Sequence, residues 1–156
     1  MKIKQKKILK PLIKLHLLKT QIYKQANGLQ SLNTSVLQLK QVLKIIYLYS
    51  KNKKKILFLG FPYNKFVHNQ VNYLFHSKNS YLKKKINFNQ IDLIVLHNTK
   101  DKDLNIIKNL ESFNVPIVVF GNVQSKNYSF NVLTKKKSIN NFILFIIFSI
   151  LTKYSK

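Results

Sequence analysis

Three short apolar segments, separated by segments with helical periodicity, most constrain what this chain can fold into. They are residues 56–60 (ILFLG), 91–97 (IDLIVLH) and 115–121 (VPIVVFG). Continuous apolar runs of this length are typical of strands that are buried on both faces of a parallel sheet. Pro116 lies at the start of the third run, where a strand tolerates proline. We therefore predict three central strands.

Apolar residues at three- and four-residue spacing lie before, between and after these strands. This spacing predicts helices, and an acidic residue at the N-terminus of a helix caps amides and meets the positive end of its dipole. The predicted helices cover residues 35–50, residues 63–77, a segment opened by Asp101 and Asp103, and residues 138–152.

Strands that alternate with helices indicate the fold class. Residues 80–83 and 130–133 are two further, shorter candidate strands. Alternating elements at this spacing form right-handed crossovers and a parallel sheet. We predict an α/β fold, a three-layer sandwich of the flavodoxin-like kind, with a parallel sheet flanked by helices.

The charge of the chain indicates what kind of partner it binds. The chain has 28 lysines, four acidic residues and no arginine, which gives a formal net charge of +24 on 156 residues. Such an excess makes the compact state repel itself, and a polyanion such as nucleic acid relieves the repulsion. We therefore expect a nucleic-acid partner, although charge specifies no fold.

The absence of arginine points to the genome that encodes the chain. A protein selected for bidentate phosphate or guanine contacts would be expected to contain some arginine. Here lysine, asparagine, isoleucine, leucine, phenylalanine and tyrosine are abundant, and their codons are rich in A or T. This bias favours the AT-rich genome of an organelle; a low-complexity bacterial or protist nuclear protein stays open as the alternative.

Lysines are concentrated in an N-terminal extension and in three runs. We divide the chain into a basic extension, residues 1–34, and an α/β domain, residues 35–156. Each run lies at a predicted sheet end or loop, where lysine can reach phosphates. The candidate phosphate-binding residues are Lys2, Lys4, Lys6, Lys7, Lys10, Lys53, Lys54, Lys55, Lys83, Lys84, Lys85, Lys135, Lys136 and Lys137.

The chain offers little for catalysis. It has no cysteine, which excludes disulfides and thiolate metal sites, and its three glycines form neither a dinucleotide-binding motif nor a P-loop. His68 and His76 are not at the three- or four-residue spacing of a metal pair. We expect no cofactor, no metal and no small-molecule substrate. A small α/β enzyme that uses the strand ends around His97 and Gly121 stays open as an alternative.

The most apolar segment is short for a membrane helix. Residues 142–151 (FILFIIFSIL) form about ten apolar residues, against the roughly twenty that a spanning helix needs. We expect no membrane span and interpret this segment as part of a buried helix. A peripheral membrane protein, with lysines on anionic lipid and this helix as anchor, stays open as a second alternative.

In their order and spacing, the segments resemble the S-two family of small-subunit ribosomal proteins. The family pattern runs from a K-I-L-F-V-G strand through P-D-L-x-V-V-x-D and G-I-P-V-V-x-x-V-D-T-N strands to a terminal helix. The resemblance covers residues 28–152, and its strength lies in the order of all the blocks. The matching segments are LQSLNTSV (29–36), KKILFLG (54–60), residues 91–125 and residues 130–151.

The chain departs from the family pattern in three places. Residues 81–90 stand where the family has a W-L-G-G-x-L-T-N segment and a long helical hairpin, so the hairpin is predicted to be missing. An N-D-D turn becomes residues 135–137 (KKK), and a D-T-N becomes residues 122–124 (NVQ). A shortened, AT-biased member suggests a mitochondrial ribosome, with the plastid as the alternative.

The resemblance implies a structural role without catalysis. Family members lie on the solvent side of the small subunit, near the head–body junction, and contact ribosomal RNA and neighbouring ribosomal proteins. We therefore expect the candidate lysines to bind rRNA phosphates within the small subunit of a mitochondrial ribosome, in the matrix, in support of translation. We do not expect a homo-oligomer.

Overall fold

A parallel sheet with helices on both sides forms the described part of the chain. The computed structural model describes residues 32–64, 67, 70–78, 86–121, 130–133 and 137–154. Its helices are α1 (Leu32–Lys51), α2 (Leu104–Glu111) and α3 (Lys137–Lys153). Its strands are β1 (Ile56–Leu59), β2 (Tyr73–His76), β3 (Leu93–Thr99), β4 (Ile117–Gly121) and β5 (Phe130–Leu133). Short 3-10 turns, Phe88–Gln90 and Asp101–Asp103, precede β3 and α2.

The five strands are all parallel and lie in the order β2-β1-β3-β4-β5. After β1 the chain adds β2 on one side, then returns across β1 to place β3 on the other side. This is the flavodoxin-like order, in which the direction of winding reverses between β1 and β3. The predicted three-layer α/β sandwich is confirmed.

Helices bury both faces of the sheet, which explains why the central strands are apolar without alternation. In β1, Ile56 and Phe58 face the layer formed by α1 and α3, whereas Leu57 and Leu59 face the layer formed by α2. All four side chains are fully buried. A strand turns successive side chains to opposite faces, so a polar residue in β1 would have to enter one of two apolar layers.

The apolar spacing of α1 and α3 places one side of each helix on the sheet. From α1 this core layer includes Leu39, Val42 and Ile46, and from α3 it includes Ile143, Ile147 and Leu151. Tyr47 of α1 also contacts Tyr154, which directly follows α3, and the centroids of their rings lie 5.3 Å apart in an edge-to-face arrangement. The hydrogen bond with Tyr47 is the main cause that raises the pKa of Tyr154 above its ordinary value.

Most of the predicted elements are confirmed, with small shifts of their ends. The strands predicted at residues 56–60, 91–97, 115–121 and 130–133 correspond to β1, β3, β4 and β5. The helices predicted at 35–50, after Asp103 and at 138–152 correspond to α1, α2 and α3. Because α1 begins at Leu32, it includes the last residues of the predicted extension, whose residues 1–31 lie outside the described part.

The predicted helix over residues 63–77 is wrong. Residues 73–76 form β2 at the edge of the sheet, and Val71, which the helical stripe would bury, is 84% exposed. Only Val67 is helical among the described residues of this segment, and it is buried. A short apolar run fits both spacings, and aromatic residues such as Tyr73 and Phe75 favour a strand.

The connection from β2 to β3 is short. It comprises residues 77–92, where the resembled family has a long helical hairpin, and its described parts, 77–78 and 86–92, contain the turn Phe88–Gln90. The strand predicted at residues 80–83 lies outside the described residues. Across the part of the chain that the structure describes, no helix combines the length and apolar character needed to cross a membrane.

A β-bulge shapes the carboxyl end of β3. Leu96 pairs with Val119, but Thr99 pairs with Gly121, so β3 carries one extra residue. Asn98, within the bulge, has a φ of 52°. Gly121 allows Thr99 to lie close, because a Cβ on Gly121 would overlap the side chain and carbonyl oxygen of Thr99 and lie 2.6 Å from its nitrogen.

Gly121→Ala should therefore destabilise the protein strongly. The added methyl group meets the backbone of Thr99, which cannot move without breaking the pairing of β3 and β4. We expect the free energy of unfolding, measured by urea denaturation, to fall by about 3 kcal/mol or more. Ser149→Ala, at an exposed position of α3, is the control and should change it by less than about 0.5 kcal/mol. Equal effects of the two substitutions would contradict the close approach.

Candidate nucleic-acid interface

A cleft of about 750 Å³ opens at the carboxyl ends of β1, β2 and β3. In open α/β sheets, ligands bind outside the carboxyl ends of the strands, where the winding direction reverses. Here that point lies between β1 and β3. The lining residues come from the loop after β1, the segment after β2, the end of β3 and the start of α2: Gly60, Phe61, Pro62, Ser77, Lys78, His97, Asn98, Lys100, Lys102, Asp103 and Ile106.

Gly60 lets the chain turn sharply out of β1 into the cleft. Its φ of +76° is a conformation that other residues rarely adopt. A Cβ at this position would also lie 3.0 Å from the carbonyl oxygen of His97 and 2.8 Å from Cε of Lys78. The floor of the cleft is therefore built by close packing of the ends of β1 and β3.

A largely buried ion pair joins three walls of the cleft. The Nζ of Lys78 donates to Oδ2 of Asp103 at 2.7 Å and also to the carbonyl oxygen of Asn98. The side chains of Lys78 and Asp103 are 18% and 8% exposed. Because Lys78 follows β2, Asn98 lies in the bulge of β3 and Asp103 precedes α2, this one ammonium group fixes the relative positions of all three elements.

Asp103 does not cap α2 as its position predicted. It occupies the N-cap position, but its side chain makes no capping hydrogen bond. Its Oδ2 instead accepts from the backbone N–H of Lys100 at 2.9 Å and from Lys78. The carboxylate therefore stabilises the turn that leads from β3 into α2.

The cleft is electropositive. Its lining includes three lysines, Lys78, Lys100 and Lys102, and one aspartate, Asp103. Asp103 compensates Lys78, while Lys100 and Lys102 are exposed to solvent. A concave site of one charge sign between low-dielectric walls concentrates the field and attracts anions.

The structure places His97 in the wall of the cleft but does not bring it to Asp92. His97 is 6% exposed, and its ring lies 5.1 Å from that of Phe61. Asp92 lies at the opposite end of β3, where its Oδ2 accepts from the backbone N–H of Lys55. Among the described residues, no group of three or more His, Cys, Asp or Glu side chains is placed to hold a metal ion.

The lysine run at residues 53–55 lies just before β1, at the amino ends of the strands and opposite the cleft. Lys53 has a φ of 52° and ends α1 in a Schellman motif: its N–H donates to the carbonyl oxygen of Ser50, and the N–H of Lys54 donates to that of Tyr49. The run thus caps the carboxyl end of α1, where positive charge is favourable.

The side chains of this run are held to different degrees. Nζ of Lys54 lies 3.6 Å from Oδ1 of Asp92, and Nζ of Lys55 donates to Oε1 of Gln90 at 3.1 Å. Lys53 and Lys54 are exposed, and Lys55 is half-buried. All three amino groups remain near the surface, where phosphates can reach them.

The remaining predicted lysines fall largely outside the described residues. Lys137 is the first residue of α3, which follows the carboxyl end of β5. The others outside the described part are Lys2, Lys4, Lys6, Lys7, Lys10, Lys83, Lys84, Lys85, Lys135 and Lys136. Among the described lysines, those at residues 53–55 and those that line the cleft form two positive regions, one at the amino ends of the strands and one at their carboxyl ends.

Sequence reasoning missed the lysines of the cleft because none of them belongs to a run. Lys100 and Lys102 follow β3 directly, so their position after a predicted strand was a usable signal. Lys78 follows β2, but residues 63–77 were predicted to form a helix, so no strand end was expected before Lys78. Gly60 and His97, the last residues of the first two predicted strand segments, do lie together in the lining of the cleft.

No family model and no curated protein matches the chain. Its strand order is that of flavodoxin-like folds, and such a fold hosts many unrelated functions. The charge of the chain and the residues of the two positive regions therefore have to carry a functional proposal.

The two ion pairs of the described part allow a direct comparison. Lys78→Gln leaves the buried carboxylate of Asp103 without its cation, and we expect it to lower the free energy of unfolding by about 2 kcal/mol. Lys54→Gln removes the same charge from a pair whose lysine is 55% exposed, and it should cost less than about 0.5 kcal/mol. Urea denaturation of both variants measures the difference. If Lys78→Gln were the milder change, the pair would not organise the cleft.

Proposed function

We propose that this chain is a structural component of the small subunit of a mitochondrial ribosome and that it binds rRNA phosphates through its lysines. The observation that carries the proposal is the display of exposed lysines at both edges of an apolar α/β sandwich in a chain of charge +24.

The excess of positive charge cannot be balanced within the chain. Of the four acidic residues, Asp92 and Asp103 already pair with Lys54 and Lys78. Even if every acid paired with one lysine, 24 of the 28 lysines would still lack an acidic partner. A phosphate backbone supplies closely spaced negative charges, and releasing their counterions favours binding.

The strongly basic residues are all lysines, and lysine suits contacts that do not depend on the base sequence of the RNA. Lysine presents a compact charge on a flexible stem, which suits phosphate contacts more than the reading of base edges. Lys53 and Lys54 at one edge of the sheet and Lys100 and Lys102 at the other are exposed. A folded RNA that contacts both edges would be recognised mainly by its shape.

The order of the segments resembles that of the S-two family, which favours rRNA of the small subunit as the nucleic acid that the chain binds. The bias towards A- and T-rich codons favours a mitochondrion, with a plastid as the alternative. Exposed apolar side chains, including Leu37 and Leu48 of α1 and Phe145 of α3, are available to contact neighbouring ribosomal proteins.

Sedimentation of an organelle lysate tests this proposal. With magnesium present, the protein should sediment with the small subunit in a sucrose gradient, and ribonuclease should move it to slow fractions. A slow soluble peak in magnesium would contradict the proposal. Attachment to membranes that survives ribonuclease would favour a peripheral membrane protein instead.

The lysine run at residues 53–55 should contribute to the salt dependence of RNA binding. Each phosphate contact contributes roughly 0.7–0.9 to the slope of log K against log salt concentration. Replacing all three lysines by glutamine should reduce the magnitude of that slope by about 2, measured with full-length protein and small-subunit rRNA.

A variant of equal charge is the control for the run. Lys40, Lys108 and Lys153 are exposed and lie on three different helices, so replacing them by glutamine removes the same charge without removing a cluster. We expect a smaller change in slope. Equal slopes for the two variants would show that only net charge matters and that the run is ordinary surface.

A further inference from the structure

The loop that lines the cleft after β1 continues into an exposed aromatic residue, and the cleft itself has exposed lysines. Tyr63 is 72% exposed and directly follows Pro62, which lines the cleft. Lys100 and Lys102 line the same cleft and are also exposed. A positive groove beside an aromatic ring is the arrangement with which proteins bind single-stranded nucleic acid, because the groove follows the backbone and the ring stacks on a base.

We propose that this cleft takes one unpaired RNA nucleotide, whose phosphate contacts Lys100 and Lys102 and whose base stacks on Tyr63. The inference rests on the proposed function, RNA binding, and adds the form of RNA that this edge of the sheet recognises. It assigns the two positive regions different tasks: residues 53–55 contact backbone phosphates of any geometry, whereas the cleft selects an unstacked nucleotide.

The size of the cleft fits one nucleotide. A volume of about 750 Å³ lies within the roughly 300–1,000 Å³ that is usual for sites of small ligands. A duplex cannot present a single base to such a site, because its bases are stacked and paired inside the helix. Single-stranded loops and bulges can turn a base outward onto an aromatic side chain.

Because Lys78 and Asp103 form an ion pair, the positive charges of Lys100 and Lys102 remain in the lining for one phosphate. Lys78 compensates the negative charge of Asp103, which would otherwise repel an anion. Lys100 and Lys102 then contribute the positive charge of the mouth. Asn98 is exposed in the lining, and its amide offers both a donor and an acceptor to the edge of a base.

A single introduced tryptophan can report on stacking at this site. The chain contains no tryptophan, so Tyr63→Trp in the full-length protein gives a single tryptophan that keeps an aromatic face and can be excited apart from the tyrosines. The probes are a short single-stranded oligoadenylate, an RNA duplex of the same length, adenosine monophosphate and inorganic phosphate. We expect saturable quenching by the single strand and much weaker quenching by the other three probes at equal phosphate concentration.

Substitutions separate the phosphate contact from the stacking contact. In the Tyr63→Trp background, Lys100→Gln with Lys102→Gln should reduce the magnitude of the salt slope for the single strand by about 1.4, at roughly 0.7 per contact. Lys108→Gln, at an exposed position of α2, should leave it nearly unchanged. Tyr63→Ala in the native chain should weaken binding of a labelled oligoadenylate roughly 5- to 150-fold. The replaced side chains are exposed, and circular dichroism checks that each variant is folded.

Three results would overturn the inference. Quenching by the duplex equal to that by the single strand would show that the cleft does not select an unpaired nucleotide. Adenosine monophosphate bound as tightly as the oligoadenylate would indicate a site for a free nucleotide. Quenching that is insensitive to Lys100→Gln and Lys102→Gln would place the binding elsewhere.

The inference and the proposed function can fail separately. If the protein binds small-subunit rRNA while the introduced tryptophan shows no quenching by the single strand, the cleft assignment is wrong and the ribosomal role stands. If the native chain does not bind rRNA or sediment with the small subunit, the ribosomal role is wrong, whatever the cleft binds.

Discussion

The burial of the central strands on both faces is the constraint on which the rest of the structure depends. Every side chain of β1 is enclosed by one of two helical layers, so neither face of the sheet has room for charge. Lysines must then lie on the outer sides of the helices or at the two ends of the strands. The parallel arrangement gathers all carboxyl ends at one edge and all amino ends at the other. Two separate positive regions follow from this geometry.

One ion pair of the described residues is nevertheless largely buried. Lys78 reaches across the end of β1 to Asp103 and to the carbonyl oxygen of Asn98, and the three partners come from different elements. Asp103 balances the charge of Lys78. Lys78 can therefore lie close to the sheet even when no RNA is bound. The ion pair thus shapes the cleft, while lysines further out stay available for phosphates.

Much of the fold could be predicted from the sequence, because β1 and the first four residues of both β3 and β4 are all apolar, and such runs allow few other structures. β2 could not, since a half-buried edge strand such as Tyr73–His76 shares its spacing with a helix. Because β2 was not predicted, Lys78 was not expected to lie at the end of a strand, where the cleft is. The role of Asp103 was also missed, because its partner lies 25 positions away in sequence and local rules favour a helix cap. The runs of lysine are visible in the sequence, but the pairing of Lys54 with Asp92 depends on the folded chain.

Three residues other than glycine occupy left-handed backbone positions in the described part of the chain. Lys53, Asn98 and Asn114 all have positive φ, a conformation that costs an ordinary residue about 1–2 kcal/mol and that glycine adopts freely. Glycine codons begin with two guanines, and the chain contains three glycines. The two that the structure describes, Gly60 and Gly121, are positions where a Cβ would meet neighbouring backbone. The AT-rich genome that we propose would produce this distribution: lysine and asparagine occupy positions where only torsional strain opposes a side chain, and glycine is kept where a Cβ would also meet neighbouring backbone.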